Sequence, residues 1–142
     1  MAVDNVLIRD GSLHTAFANF YNPAVALAGP GGSGQFLGVQ FQASRVLQIA
    51  SSPTAIPPVY GVLQNTPMAT EACDVGISGI TKAVAGAAFN FGQELMVDSA
   101  GRFVLWVAGA ANFKCGMAME TVAAANTVFS MMIYTPNYKV VT

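Results

Sequence analysis

Residues 72–84 read "ACDVGISGITKAV", and the fold turns on how they are read. Cys73, Val75 and Ile77 alternate with Asp74, Gly76 and Ser78, the period of two that sends one set of side chains to each face of a strand. After Gly79 the register shifts, so that Ile80, Lys82 and Val84 share a face. A glycine at such a shift predicts a β-bulge within the strand.

The same signal recurs on both sides of this stretch. Upstream, "QFLGVQF" (35–41), "RVLQIA" (45–50) and "VYGVLQN" (59–65) are short apolar runs separated by Ser, Pro and Gly,. Downstream, "ELMV", "RFVLWVA", "CGMAME" and "TVFSMMIY" supply four more, with "DSAG" (98–101) as the tight turn between the first two,. Only "METVAAAN" (119–126) has helical character, from its alanines, and it is too short to be stable alone,. About eight closely spaced strands predict an all-β chain, an antiparallel β-barrel or a jelly-roll-like sandwich. Residues 1–22, which include most of "HTAFANFYNP", carry no sustained period and are read as an extended N-terminal arm. Residues 23–142 then form a single β domain. It is interrupted early by the flexible loop "GPGGSG" (29–34) and closed by a short C-terminal extension, "YTPNYKVVT",.

Composition narrows the function classes. Charged residues make up 9% of the chain, against about 25% in an ordinary soluble domain. A folded monomer of this mass exposes about 6,900 Å², so the charges are thinly spread and the surface favours association. The six basic residues, Arg9, Arg45, Lys82, Arg102, Lys114 and Lys139, are scattered and the net charge is −1; a nucleic-acid partner would need them clustered. The long uncharged stretch 46–70 contains Pro53, Pro57, Pro58 and Pro67, which no membrane helix would tolerate together,. The N-terminus fits a signal peptide poorly, because Asp4 comes early and Asn19, Asn22 and Pro23 break the apolar run,. The expectation is a protein made in a cytoplasm, with neither nucleic acid nor membrane as partner.

Residues able to carry chemistry do not assemble into a motif. His14 is the only histidine, so any Ser-His-Asp or Cys-His arrangement would have to use it, and it lies in the unpatterned arm,. It is read as a surface or interface residue. The "GPGGSG" loop lacks the Lys-Ser/Thr of a phosphate cradle, and no helical pattern follows it,. Asp74, Glu94, Asp98 and Glu120 are dispersed over different strands and turns, and a hydrolytic pair would need two of them to converge. Cys73 and Cys115 have no metal or redox spacing and are read as small core residues,. No catalytic, cofactor-binding or metal-binding residue is therefore assigned, and the chain is read as a non-enzyme. Met117, Met119, Met131 and Met132 either fill the core or form an adaptable contact surface,. Phe17, Phe20 and Tyr21 are aromatics without a strand to bury them, which suits interface anchors,.

Three stretches, "GVLQNTP" (61–67), "VGISGITKAVAGAAFNFGQELMVDSAGRFV" (75–104) and "GMAMETVAAANTVFSMMI" (116–133), carry a resemblance to the capsid decoration, or cement, proteins of tailed bacteriophages. That family runs a Gly-Val-Leu-Gln-Asn turn, a strand ending in Lys with an Ala-Gly-Ala-Ala corner, a further strand, an Asp-x-x-Gly-Arg turn and a closing Gly-x-Ala hairpin. The chain departs from it at the "AGPGGSG" insertion, at Phe89 and Phe91 where the family is usually aliphatic, and in the C-terminal extension that contains Tyr138. The resemblance implies a β-barrel-like or jelly-roll fold, no catalysis and no cofactor. It also implies a homo-oligomer, a trimer, seated on the outer surface of the virion head and bound to the major capsid protein. Phe17, Phe20, Tyr21, Phe89, Phe91 and Tyr138 are the expected interface residues. The rival reading is a phage or bacterial surface module that binds carbohydrate through exposed aromatics such as Trp106 and Tyr138.

Overall fold

The computed structural model describes residues 6–7, 13–15, 34–43, 46–54, 58–67, 73–108 and 112–139. Among the described residues eleven strands follow one another: β1 (Val6–Leu7), β2 (Leu13–Thr15), β3 (Gly38–Ala43), β4 (Val46–Ile49), β5 (Val59–Leu63), β6 (Asp74–Gly76), β7 (Gly79–Val84), β8 (Glu94–Val97), β9 (Phe103–Leu105), β10 (Phe113–Ala118) and β11 (Val128–Lys139). They form two antiparallel sheets that pack together as a sandwich. The first has the order β1-β2-β6-β5-β3-β4 and the second β7-β11-β10-β8-β9. The chain is all-β, and of the two architectures expected from sequence the sandwich is the one formed. A single parallel bridge between Ala85 and Phe103 draws together the two edges of the second sheet at one end. One bridge does not zip β7 to β9, so no barrel closes.

The stretch 72–84 proves to be the joint between the sheets. Instead of a bulge in one strand, the alternation before Gly79 belongs to β6 in the first sheet and the alternation after it to β7 in the second. Gly79 has φ = 79°, a left-handed backbone open to glycine at no steric cost, and it redirects the chain across the sandwich. Cys73 and Val75 are fully buried with Val39, Leu47 and Leu63, and Ile77 packs against them. Val62 instead joins the larger core with Phe103, Phe129, Leu95 and Met131. Because neighbours in a strand point to opposite faces, Val62 and Leu63 show that the first sheet buries apolar side chains on both.

Two other expectations are corrected. Residues 119–126 are not helical: Val122 is buried and its backbone exchanges both hydrogen bonds with Phe89, at 3.0 and 2.8 Å. Anchoring one apolar residue in the core outweighs the weak propensity of Ala123 to Ala125. The supposed C-terminal extension does not begin after a finished strand, since β11 runs on to Lys139 and pairs Tyr138 with Lys114 and Lys139 with Phe113. Within residues 1–22, β1 and β2 pair with each other and β2 pairs with β6. Of the glycine-rich loop, all but Gly34 lies outside the described residues.

The expected turn at 98–101 is where the sandwich is fastened. Asp98 Oδ1 accepts the backbone N–H of Ala100 (2.8 Å) and of Arg102 (2.9 Å), while Oδ2 accepts Arg102 Nε at 2.9 Å. The Arg102 guanidinium also donates to Asn126 Oδ1 at 3.1 Å, tying in the loop after β10. The carbonyl of Gly101 accepts the N–H of Gly38 in the opposite sheet at 2.8 Å. Gly101 has φ = 78°, and a Cβ there would lie 2.4 Å from Ile49 Cγ2. Two further backbone bonds cross the sandwich, Phe113 N–H to the Pro53 carbonyl (2.9 Å) and Val84 N–H to the Phe36 carbonyl (2.9 Å).

Asp98→Ala is expected to lower stability by about 3 kcal/mol, since it removes several hydrogen bonds to a charged group. Gly101→Ala should cost at least as much through left-handed strain and the clash. The neighbouring exposed Ser99→Ala serves as a control, within about 0.5 kcal/mol of the parent. Urea unfolding followed by circular dichroism measures all three.

Candidate interaction surface

The exposed turn 90–93 sits where strand β8 begins and is held by backbone rather than by its own packing. Phe91 N–H donates to Thr121 Oγ1 (3.1 Å), Gly92 N–H to the Ala118 carbonyl (2.8 Å) and Asn90 N–H to Gln93 Oε1 (2.7 Å). The two neighbouring phenylalanines therefore part company. Phe89 is 4% exposed and meets Phe129 edge-on, with ring centroids 4.8 Å apart. Phe91 is 63% exposed. Phe89 is thus a core side chain that positions the turn, and Phe91 is the ring the turn presents. Phe17, Phe20 and Tyr21 lie outside the described residues, and Tyr138 is placed by its backbone alone, opposite Lys114.

Sequence reasoning left the methionines with two possible homes, and the structure uses both. Met131 faces inward and is 1% exposed. Met132 faces the other way, in a row that crosses three strands of the second sheet: Ile80 pairs with Met132 and Met132 with Met117. Met117 and Met132 are half-buried and Ile80 is 50% exposed. One row along, Lys82 lies opposite Ser130, whose carbonyl accepts Met119 N–H at 2.9 Å. Val128, 47% exposed, continues the same face of β11. Sequence reasoning did not single out Ile80 or Val128. The signal was there in the alternation Ile80-Lys82-Val84, but nothing local says which face looks outward.

At the other side of this face the row ends in a polar cluster. Met117 pairs with Glu94, whose carboxylate forms an ion pair with Lys114 and accepts the Tyr134 hydroxyl at 3.4 Å. The Lys114 ammonium lies 4.2 Å from the centroid of Trp106, and the indole N–H donates to the Asn112 carbonyl at 3.2 Å. A saccharide platform needs a free aromatic face flanked by available polar groups. Here Lys114 covers a face of Trp106, and the nearby carboxylate is already engaged.

Both cysteines are buried thiols. Burial pushes Cys115 up to about 12, against the opposing pull of a backbone hydrogen bond from Val97. Burial, and secondarily the charge of Asp74, pushes Cys73 up to about 11. Among the described residues no three of His, Cys, Asp and Glu gather to hold a metal ion.

Ile80 and Val128 on β7 and β11 and Phe91 on one firmly held turn expose apolar side chains in a chain with few charges, a surface that suits association. The family comparison agrees: the chain matches the profile of phage cement proteins over residues 32–133 and belongs to that family. The family is structural, a component of the phage capsid. A comparison with curated proteins found no match.

Phe89→Ala is expected to cost about 3–5 kcal/mol, whereas Phe91→Ser should leave the unfolding midpoint within about 0.5 kcal/mol of the parent; chemical denaturation separates them. The thiols predict an alkaline limit. A thiol raised in the folded state keeps its proton there, while the unfolded chain releases it above about 9. The stabilisation is therefore complete below pH 9 and is lost as pH rises toward about 12,. Cys115→Ala should flatten the fall of stability between pH 9 and 11, and a parent and variant falling in parallel would contradict this origin.

Proposed function

We propose that the protein is a decoration protein that binds the outer surface of a phage head and stabilises the lattice of the major capsid protein, as a homo-oligomer, a trimer. It is made in the host cytoplasm and has no catalytic role. Family membership carries this reading, and the charge-poor outer face with the protruding Phe91 supports it. A cement protein gains by broad contact, to which exposed apolar side chains such as Ile80, Val128 and Phe91 would contribute,. Residues 1–22 act as the anchoring arm, with Phe17, Phe20 and Tyr21 inserted against the shell or a neighbouring subunit, and residues 23–142 as the β domain. Leaving each of those rings in water would forgo about 1.5–3 kcal/mol.

Because β1 and β2 pair into the first sheet, the sharper test spares the backbone. Replacing Phe17, Phe20 and Tyr21 together by Ser is expected to leave the melting temperature within a few degrees while abolishing binding to empty heads, scored by co-sedimentation and electron microscopy. Undiminished decoration would overturn the anchor, and loss of folding would make the rings part of the core.

A further inference from the structure

The exposed turn 90–93 is one half of a larger unit, whose other half is the loop 119–127. Phe89 and Val122 exchange both backbone hydrogen bonds, Phe91 N–H donates to Thr121 Oγ1 at 3.1 Å, and Gly92 N–H donates to the Ala118 carbonyl at 2.8 Å. The loop is fixed at its far end as well. Ala85 N–H donates to the Thr127 carbonyl (2.9 Å), Asn126 N–H to the Ala85 carbonyl (2.7 Å) and the Thr127 hydroxyl to the Ala124 carbonyl (2.9 Å), while Arg102 holds the Asn126 side chain. Exposed loops are ordinarily the mobile parts of a domain. Here hydrogen bonds hold both segments to each other and to the strand ends.

What this held unit displays is one ring among small side chains. Phe91 is the most exposed large apolar side chain among the described residues. A Cβ built on Gly92 beside it would meet no atom of the described residues within 4 Å, so the turn stands clear of them. Ala87, Ala88, Ala123, Ala124 and Ala125 are exposed too, and their methyl groups are too short to hold a partner surface away. Glu120 is the only charged residue in segments 86–92 and 119–127, so a contact made here rests on shape and apolar burial rather than on ion pairs. An aromatic side chain carried on a backbone that is already ordered has the character of an interface anchor, because little remains to be ordered on binding.

We propose that this two-loop unit docks on the phage shell, with Phe91 entering an apolar depression of the capsid surface and Thr121 as the positioning residue that sets the turn. The capsid is taken as the occupant because the chain belongs to a family of capsid components; the proposal deepens the proposed function and rests on it. Co-sedimentation of the full chain with empty heads over a concentration series tests it, using Phe91→Ser, Ala123→Arg, Thr121→Val and Thr121→Ser, each checked for its melting curve. Phe91→Ser removes the ring and Ala123→Arg holds the shell away, so each is expected to weaken binding by about tenfold or more with the melting temperature unchanged. Thr121→Val keeps the shape and loses the acceptor oxygen; it should weaken binding severalfold, and Thr121→Ser should bind as the parent does. A Thr121→Val protein that melts earlier yet binds like the parent would overturn the positioning role. Parent-like binding by either Phe91→Ser or Ala123→Arg would overturn the docking unit and leave the cement reading standing, whereas a parent that does not bind heads would overturn both. Sedimentation velocity of the free protein tests the other occupant: if Phe91→Ser weakens self-association and leaves head binding intact, the unit is a contact between copies and the proposal fails.

Discussion

One carboxylate holds the sandwich in register. Asp98 shapes the β8–β9 turn by accepting two backbone N–H groups, and it orients the Arg102 guanidinium toward Asn126. The turn so fixed delivers the Gly101 carbonyl to Gly38 in the other sheet. Few devices could do this with so little material. The inter-sheet bond needs a left-handed residue without a side chain, because Ile49 fills the space a Cβ would take. Turn geometry, sheet-to-sheet spacing and the position of the loop after β10 are therefore one constraint rather than three. Asn126, itself left-handed at φ = 61°, is the far end of it.

From that fixed end the rest follows by alternation. Phe129, Met131 and Ile133 point into the core and Val128, Ser130 and Met132 point out, so a single strand both builds the interior and lays down the outer face. The loop bridge between Phe89 and Val122 serves the same economy. It buries one phenylalanine and thereby holds the exposed one, two residues on, in a fixed place. A surface made in this way is held by its backbone hydrogen bonds and adaptable in its methionine side chains,.

Strand positions were legible in the sequence because alternation is local, and the Asp98 turn was legible because its residue types state their roles. Which sheet each strand would join was not, since pairing between distant segments leaves no local mark. The shift at Gly79 looks the same on paper whether the chain bulges or crosses over. The run Thr121–Asn126 misled for a related reason: alanines report propensity, but Val122 reports burial, and burial decided. Phe89 and Phe91 could not be told apart without the turn that separates them. The same holds for Met131 and Met132, adjacent residues with opposite fates.

The crossover at Ile77 and Ser78 also divides the molecule in time. All six strands of the first sheet precede it and all five of the second follow. On a ribosome adding about 5–20 residues per second, the first sheet emerges seconds before its partner. Through that interval Ala50, Val59 and Val62 have no opposing layer to cover them. A nascent chain is thus briefly a sheet with an uncovered apolar face. Sparse charge gives little protection then,. The yield of folded subunits becomes a race between completing residues 79–139 and meeting another unfinished chain.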